Sequence, residues 1–203
     1  MTPDSTEIHR KDAVLQAALL HAPFDGWTRE VLDRALADAG HPGEGPLLFP
    51  RGSIDLVAHF FDHATRLTLD KAPDLAALKV REKIALLVKT RLSVLEPWRE
   101  AVRLGLSVLV RPDHMATGVR LLADTASAFW YLVGDKSTDY NWYTKRMLLA
   151  GVIGSSTLYW LNDRSPGHVE TEAFIDRQIS RVMTVGAWPG KLADLWKRDK
   201  AHA

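Results

Sequence analysis

Apolar residues recur every three to four positions along almost the whole chain. No segment alternates apolar and polar for long enough to make a strand, so the pattern predicts an all-α protein. Asp4 and Glu7 are spaced as a capping box before a first helix running to about His21, with Ile8, Leu15 and Leu19 on one face. Thr28 can cap a second helix whose stripe is Val31, Leu32, Ala35, Leu36 and Ala39, and Gly40 stops it. Residues 40–52 are dense in glycine and proline and leave room for one helical turn at most. Ser53 then caps a longer helix that turns Ile54, Val57, Phe60, Phe61 and Ala64 inward.

Beyond Pro73 the predicted helices lengthen. They run from about 74 to 95, from Pro97 to about Val110, and from Pro112 to Val133, where Gly134 is the stop. A helix from about Tyr140 to Leu161 follows, and its segment Met147 to Asn162 carries no charge. At sixteen residues that segment is shorter than the roughly 20 apolar residues a bilayer demands, so it reads as a helix buried on all sides. Ser165-Pro166 opens a further helix with Phe174, Ile175, Ile179, Val182 and Met183 in one seam, and Pro189 to Lys200 can add a short one. The expected organisation is a helix-turn-helix-like head over 1–70, a larger helical bundle over 71–187 for ligand binding and pairing, and an amphipathic tail over 188–203.

Composition narrows the classes. With 46% hydrophobic and 25% charged residues the chain is an ordinary globular one, and a net charge of +1 gives no long-range pull on polyanions. The absence of cysteine excludes disulfides and thiolate chemistry. The polar, acidic start resembles neither a signal nor a transit peptide, so the expectation is a bacterial cytoplasmic protein.

The head has the layout of a TetR-type regulator: helix, short turn, helix, then Leu47-Leu48-Phe49-Pro50 leading into a long helix. Its charge is wrong for DNA. Residues 1–66 hold ten acidic and six basic side chains, a net −4, and residues 41–49 contain no Lys or Arg to meet phosphates or base edges. Asp55, His59 and His63 share one helix face, and two histidines four apart can share a metal. No second Glu-x-x-His arm accompanies them, so a polar face is the better reading. There is no nucleophile elbow and no phosphate-binding glycine loop.

Two features remain. Tyr140, Trp142 and Tyr143 lie among charged residues where a helix begins, as apolar surface rimmed by charge does in many protein-binding sites. Leu87, Leu92, Leu106, Leu109, Leu122, Phe129 and Trp130 on three long helices can wall an apolar cavity, or simply fill a core. Gly151 and Gly154, with Ser155 and Ser156, either let helices approach closely or leave room for a ligand.

The run Gly134-Asp135-Lys136-Ser137-Thr138-Asp139-Tyr140-Asn141-Trp142-Tyr143-Thr144-Lys145-Arg146 and the later Asp163-Arg164-Ser165-Pro166 resemble a known family. So do Gly26-Trp27-Thr28 and the stretch from Arg91-Leu92 to Pro97, and the likeness extends to about Val182. The family is that of the ubiquinone (coenzyme Q) biosynthesis accessory protein, coenzyme Q protein nine, a TetR-like lipid-binding protein. The resemblance implies no catalytic chemistry and no cofactor other than a bound lipid, an isoprenoid quinone precursor or a phospholipid. It implies a homodimer that touches membranes peripherally, here the inner membrane, and presents the lipid to a ubiquinone-biosynthesis hydroxylase. The partner patch it implies falls on Asp139, Trp142, Tyr143 and Phe129. Leu192, Leu195 and Trp196, set among lysines and an arginine, stand where relatives carry a longer membrane helix. The alternatives are a TetR-type regulator with a small-molecule pocket, and a bundle enzyme using His59 and His63.

Overall fold

The computed structural model describes residues 5–134 and 140–186, the side chains of 140–142 and 183–186 excepted. Regular structure among them is helical throughout: α1 (Ser5–Ala18), α2 (Ala22–Asp25), α3 (Arg29–Asp38), α4 (Gly45–Leu48), α5 (Ser53–Asp70), α6 (Val80–Leu95), α7 (Arg99–Leu109), α8 (Met115–Leu132), α9 (Tyr140–Asn162) and α10 (Val169–Gly186). Single 3-10 turns at Glu96–Trp98 and Pro166–His168 lead into α7 and α10, each with proline in its first positions, where a missing N–H costs nothing.

The elements follow the periodicity, and the punctuation explains most ends. Thr28 accepts a hydrogen bond from the Val31 N–H and so caps α3, whose Val31, Leu32, Ala35 and Leu36 are all buried. Gly40 takes a φ of +78° just beyond, and Gly134 one of +82° after α8, backbone that a side chain would disfavour. Several expectations need correction. The first helix stops at Ala18 rather than His21, and a separate turn, α2, follows with Pro23 near its start. Ser53 does not cap α5: it is the first helical residue, Gly52 precedes it at φ +72°, and the Asp55 carboxylate instead receives the Arg51 N–H at 2.8 Å. The helix expected from about 74 begins only at Val80. The α9 helix is not buried on all sides, because Tyr143, Met147 and Leu158 are largely exposed.

Two compact units make up the chain. The first joins residues up to Lys71 with Arg91–Leu121, and the second joins Ala72–Thr90 with the described residues from Leu122 onward. In the first, α1 lies on α3 and α5, while α7 lies on α2 and α5. Its core includes Leu15, Leu36, Leu48, Phe60 and Leu95. The Trp27 indole sits 5.3 Å from the Phe60 ring and donates to the Ala101 carbonyl at 2.9 Å. Gly105 permits that approach, since a Cβ there would stand 3.2 Å from the Phe61 ring. Arg91 is buried among these groups, with Nη1 donating to Thr65 Oγ1 at 2.9 Å. Burial lowers its pKa to about 10 against the pull of Asp62, which leaves it charged at neutral pH.

In the second unit α9 and α10 form a closely packed pair, and Lys89 ties α6 to α10 through Glu172 and Asp176. The core here includes Ile84, Leu87, Phe129, Ile153, Trp160 and Ile175. Tyr159 stacks on Phe174 across the helix pair at 4.5 Å. Among the described residues no helix is long and apolar enough to cross a membrane.

Candidate functional site

The turn between α9 and α10 shows why Asp163-Arg164-Ser165-Pro166 is worth a signature. Asp163 Oδ1 accepts the Ser165 N–H at 2.7 Å, and Oδ2 accepts both the Thr171 N–H at 2.9 Å and the Thr171 hydroxyl at 2.5 Å. The Thr171 hydroxyl bond does most to hold the carboxyl far below the ordinary range; burial opposes it, and the bonds from Ser165 add to it. Gly167 and His168 both take positive φ, +63° and +56°, to turn the chain into α10. One carboxylate therefore fixes the path between two helices.

At the other end of α9 the signature segment begins. The Trp130 indole of α8 donates to the Lys145 carbonyl at 3.2 Å, and the Lys145 ammonium lies 5.4 Å from the centre of the same ring. These contacts place the end of α8 beside the first turns of α9. Tyr143 is 68% exposed there, as is Met147 one turn on, while Arg146 between them is buried. Of the partner residues named from sequence, Tyr143 presents surface, and Phe129 is wholly buried and offers none. Trp142 lies on the described backbone of α9 without a described side chain, and Asp139 lies outside the described residues.

The proposed wall residues divide between the two units. Leu92 and Leu109 are buried and Leu106 half-buried in the first; Leu87, Phe129 and Trp130 are buried and Leu122 half-buried in the second. Gly154 faces Leu122, with a Cβ there meeting Leu122 Cδ1 at 3.5 Å, whereas Gly151 is exposed and faces open space. Leu192, Leu195 and Trp196 lie outside the described residues.

The histidine face of α5 is tied to α1. Asp12 Oδ1 receives His59 Nε2 at 2.7 Å, His63 Nδ1 stands 3.1 Å from it, and Arg66 Nη2 donates to it at 2.5 Å. Burial raises the Asp12 pKa, but Arg66, His63 and His59 together outweigh it and hold the carboxyl below its ordinary value. Burial likewise dominates at His59 and lowers its pKa to about 4 in spite of Asp12, so the ring is neutral at pH 7 and Nε2–H donates. No group of three or more His, Cys, Asp or Glu residues able to hold a metal occurs among the described residues. Sequence spacing found the two histidines; it could not show that Asp12, 47 residues away from His59, closes on them. In place of a recognition helix stands the single turn α4, held to α1 by the Arg10–Glu44 pair at 3.0 Å, with His41 on the other Glu44 oxygen.

The COQ9 family model matches residues 115–186, which span α8, α9 and α10. Among curated proteins, the chain is 31% identical over 182 residues to the human "Ubiquinone biosynthesis protein COQ9, mitochondrial", covering 85% of this chain and 57% of that protein. To the Drosophila melanogaster protein of the same description it is 30% identical over 176 residues, covering 84% and 54%. The chain thus spans little more than half the length of the curated relatives it matches. Among solved structures, the TetR transcriptional regulator from Nitrosomonas europaea superposes with a TM-score of 0.65 over 88% of this chain and 98% of that one. At 19% identity that likeness speaks for the fold alone. On the helical architecture of TetR-type regulators, and by family model and curated relatives alike, this chain matches the COQ9 family.

Proposed function

We propose that this protein is a non-catalytic accessory protein of ubiquinone biosynthesis, which holds an isoprenoid quinone precursor or phospholipid and presents it to a ring hydroxylase at the membrane surface. The observation that carries this reading is the similarity over more than four fifths of the chain to proteins named for ubiquinone biosynthesis. The geometry is compatible with it in three respects. The second unit is rich in large apolar side chains near half-buried Leu122 and Gly154. Tyr143 and Met147 offer apolar surface at the start of α9, beside charged neighbours. The histidines that an enzyme would use are engaged in tying α5 to α1.

In this reading Asp139, Trp142 and Tyr143 form the patch a hydroxylase grips, with Phe129 behind it as packing. The uncharged exposed side of α9, including Met147 and Leu158, suits pairing of two copies through α9 and α10. Leu192, Leu195 and Trp196 would give reversible contact with the inner membrane, since three inserted side chains and a few basic ones suit adsorption better than anchoring. The decisive experiment is Trp142→Lys, assayed by co-purification of the ring hydroxylase alongside the melting temperature. Loss of the hydroxylase with unchanged melting is expected; undiminished co-purification sinks the patch.

The TetR-like architecture also favours a second reading, a ligand-responsive regulator. A gel shift at low salt separates the two. The acidic head and the charge-poor 41–49 segment lead us to expect no sequence-selective retention of DNA.

A further inference from the structure

Three hydroxyls stand in a row on α9, and two of them are satisfied in the ordinary way for a helix. Ser155 Oγ donates to the Gly151 carbonyl at 2.8 Å and also lies 3.2 Å from the Val152 carbonyl. Thr157 Oγ1 donates to the Ile153 carbonyl at 2.8 Å. Ser156 is different. It is wholly buried, and its Oγ has no hydrogen-bond partner. The acceptor that helical geometry would offer it, the Val152 carbonyl four residues back, already lies within reach of Ser155. Around it on the same helix face stand Leu149, Val152, Ile153 and Trp160, all buried and apolar. A hydroxyl in so dry a place is a net cost to folding unless something accepts its proton, and alanine would fit the same space without that cost.

We propose that Ser156 Oγ is the polar contact for an oxygen-bearing apolar ligand, donating to a ring carbonyl or alkoxy oxygen of a quinone-type lipid inside the second unit. The inference rests on the lipid-binding reading above and sharpens it. A single buried donor in an otherwise apolar interior selects a greasy molecule that carries an oxygen acceptor over a pure hydrocarbon of the same shape.

The test compares two probes and two variants with the full chain. A decyl-substituted benzoquinone and decylbenzene, which lacks ring oxygens, are titrated into delipidated protein and followed through tryptophan fluorescence. Ser156→Ala is expected to bind the quinone about tenfold more weakly, the loss of one buried hydrogen bond, and the hydrocarbon as well as wild type does. Its ligand-free melting temperature is expected to equal or exceed that of wild type, because an unsatisfied group has gone. Ser155→Ala, which removes a hydroxyl already bonded to the helix, is expected to leave both affinities unchanged. Equal quinone affinity in wild type and Ser156→Ala, or an equal loss for both probes, overturns the role given to Ser156 and leaves lipid binding standing. If wild type binds neither probe, the lipid-binding reading itself fails and takes this inference with it.

Discussion

His59 shows how a single side chain carries a pH dependence. Its folded pKa of about 4 lies below the ordinary 6.5 because burial penalises the cation. The folded state therefore binds fewer protons than the unfolded chain between those values. The contribution is fully present above pH 6.5 and is lost as the pH falls through about 4, by at most about 3 kcal/mol. The unfolding midpoint in urea should fall between pH 7 and pH 4, and His59→Asn should flatten that fall; an identical slope in the variant would remove His59 as the cause. Asp12, held low by Arg66 and the two histidines against its own burial, should add a further loss below pH 4. At the same scale, Thr28→Ala removes the oxygen that accepts from Val31 and should cost about 1 kcal/mol, readable by chemical denaturation.

At the level of elements, two places decide how helices meet. In the first unit α7 approaches α5 at Gly105, where a Cβ would stand 3.2 Å from the Phe61 ring and 3.3 Å from Trp27 Nε1. Gly105→Val should therefore destabilise by about 1–3 kcal/mol through overpacking, and should also disturb the Trp27 bond to Ala101, visible as a shift in tryptophan emission. In the second unit Asp163 joins the end of α9 to the start of α10 through Ser165 and Thr171. Asp163→Ala leaves the Ser165 and Thr171 N–H groups and the Thr171 hydroxyl without their acceptor. A clear drop in melting temperature is expected; melting equal to wild type would show that helix packing alone holds the corner. Sequence placed Asp163 inside a motif and gave Gly105 no role, and it could not say what either touched. A glycine's purpose lies in its neighbours, and Phe61 is 44 positions away in the chain.

For the molecule as a whole, the charge pattern and the architecture pull in different directions. The TetR-like arrangement supplies a place for a recognition helix, yet α4 is one turn long and is pinned to α1 through Glu44. Substitution of Glu44 by Gln should weaken that pin without creating DNA binding, because no phosphate-neutralising side chain stands on residues 41–49. A gel shift that remained negative for the variant is the expected result. The exposed uncharged side of α9 belongs to this scale too. Met147→Glu and Leu158→Glu together should shift sedimentation toward the monomer if α9 pairs two copies, and should leave sedimentation unaltered if it does not.

Periodicity and turn residues were enough to make the described residues helical and to place most helix ends within a few residues, and the charge count argued against a DNA-reading head. These are local or additive properties: a 3.6-residue repeat, a cap, a count of charges. The runs around Trp142 and Asp163 carried the family likeness for the same reason, since they are contiguous in the chain. What only the folded chain decided is which distant groups meet, because burial and hydrogen bonding depend on neighbours that sequence distance hides. It joined Arg91–Leu121 to the N-terminal unit, closed Asp12 onto two histidines, and exposed one side of the charge-free segment 147–162 that sequence would bury. It also left Ser156 dry and unbonded between two satisfied hydroxyls, a difference that three adjacent letters cannot express.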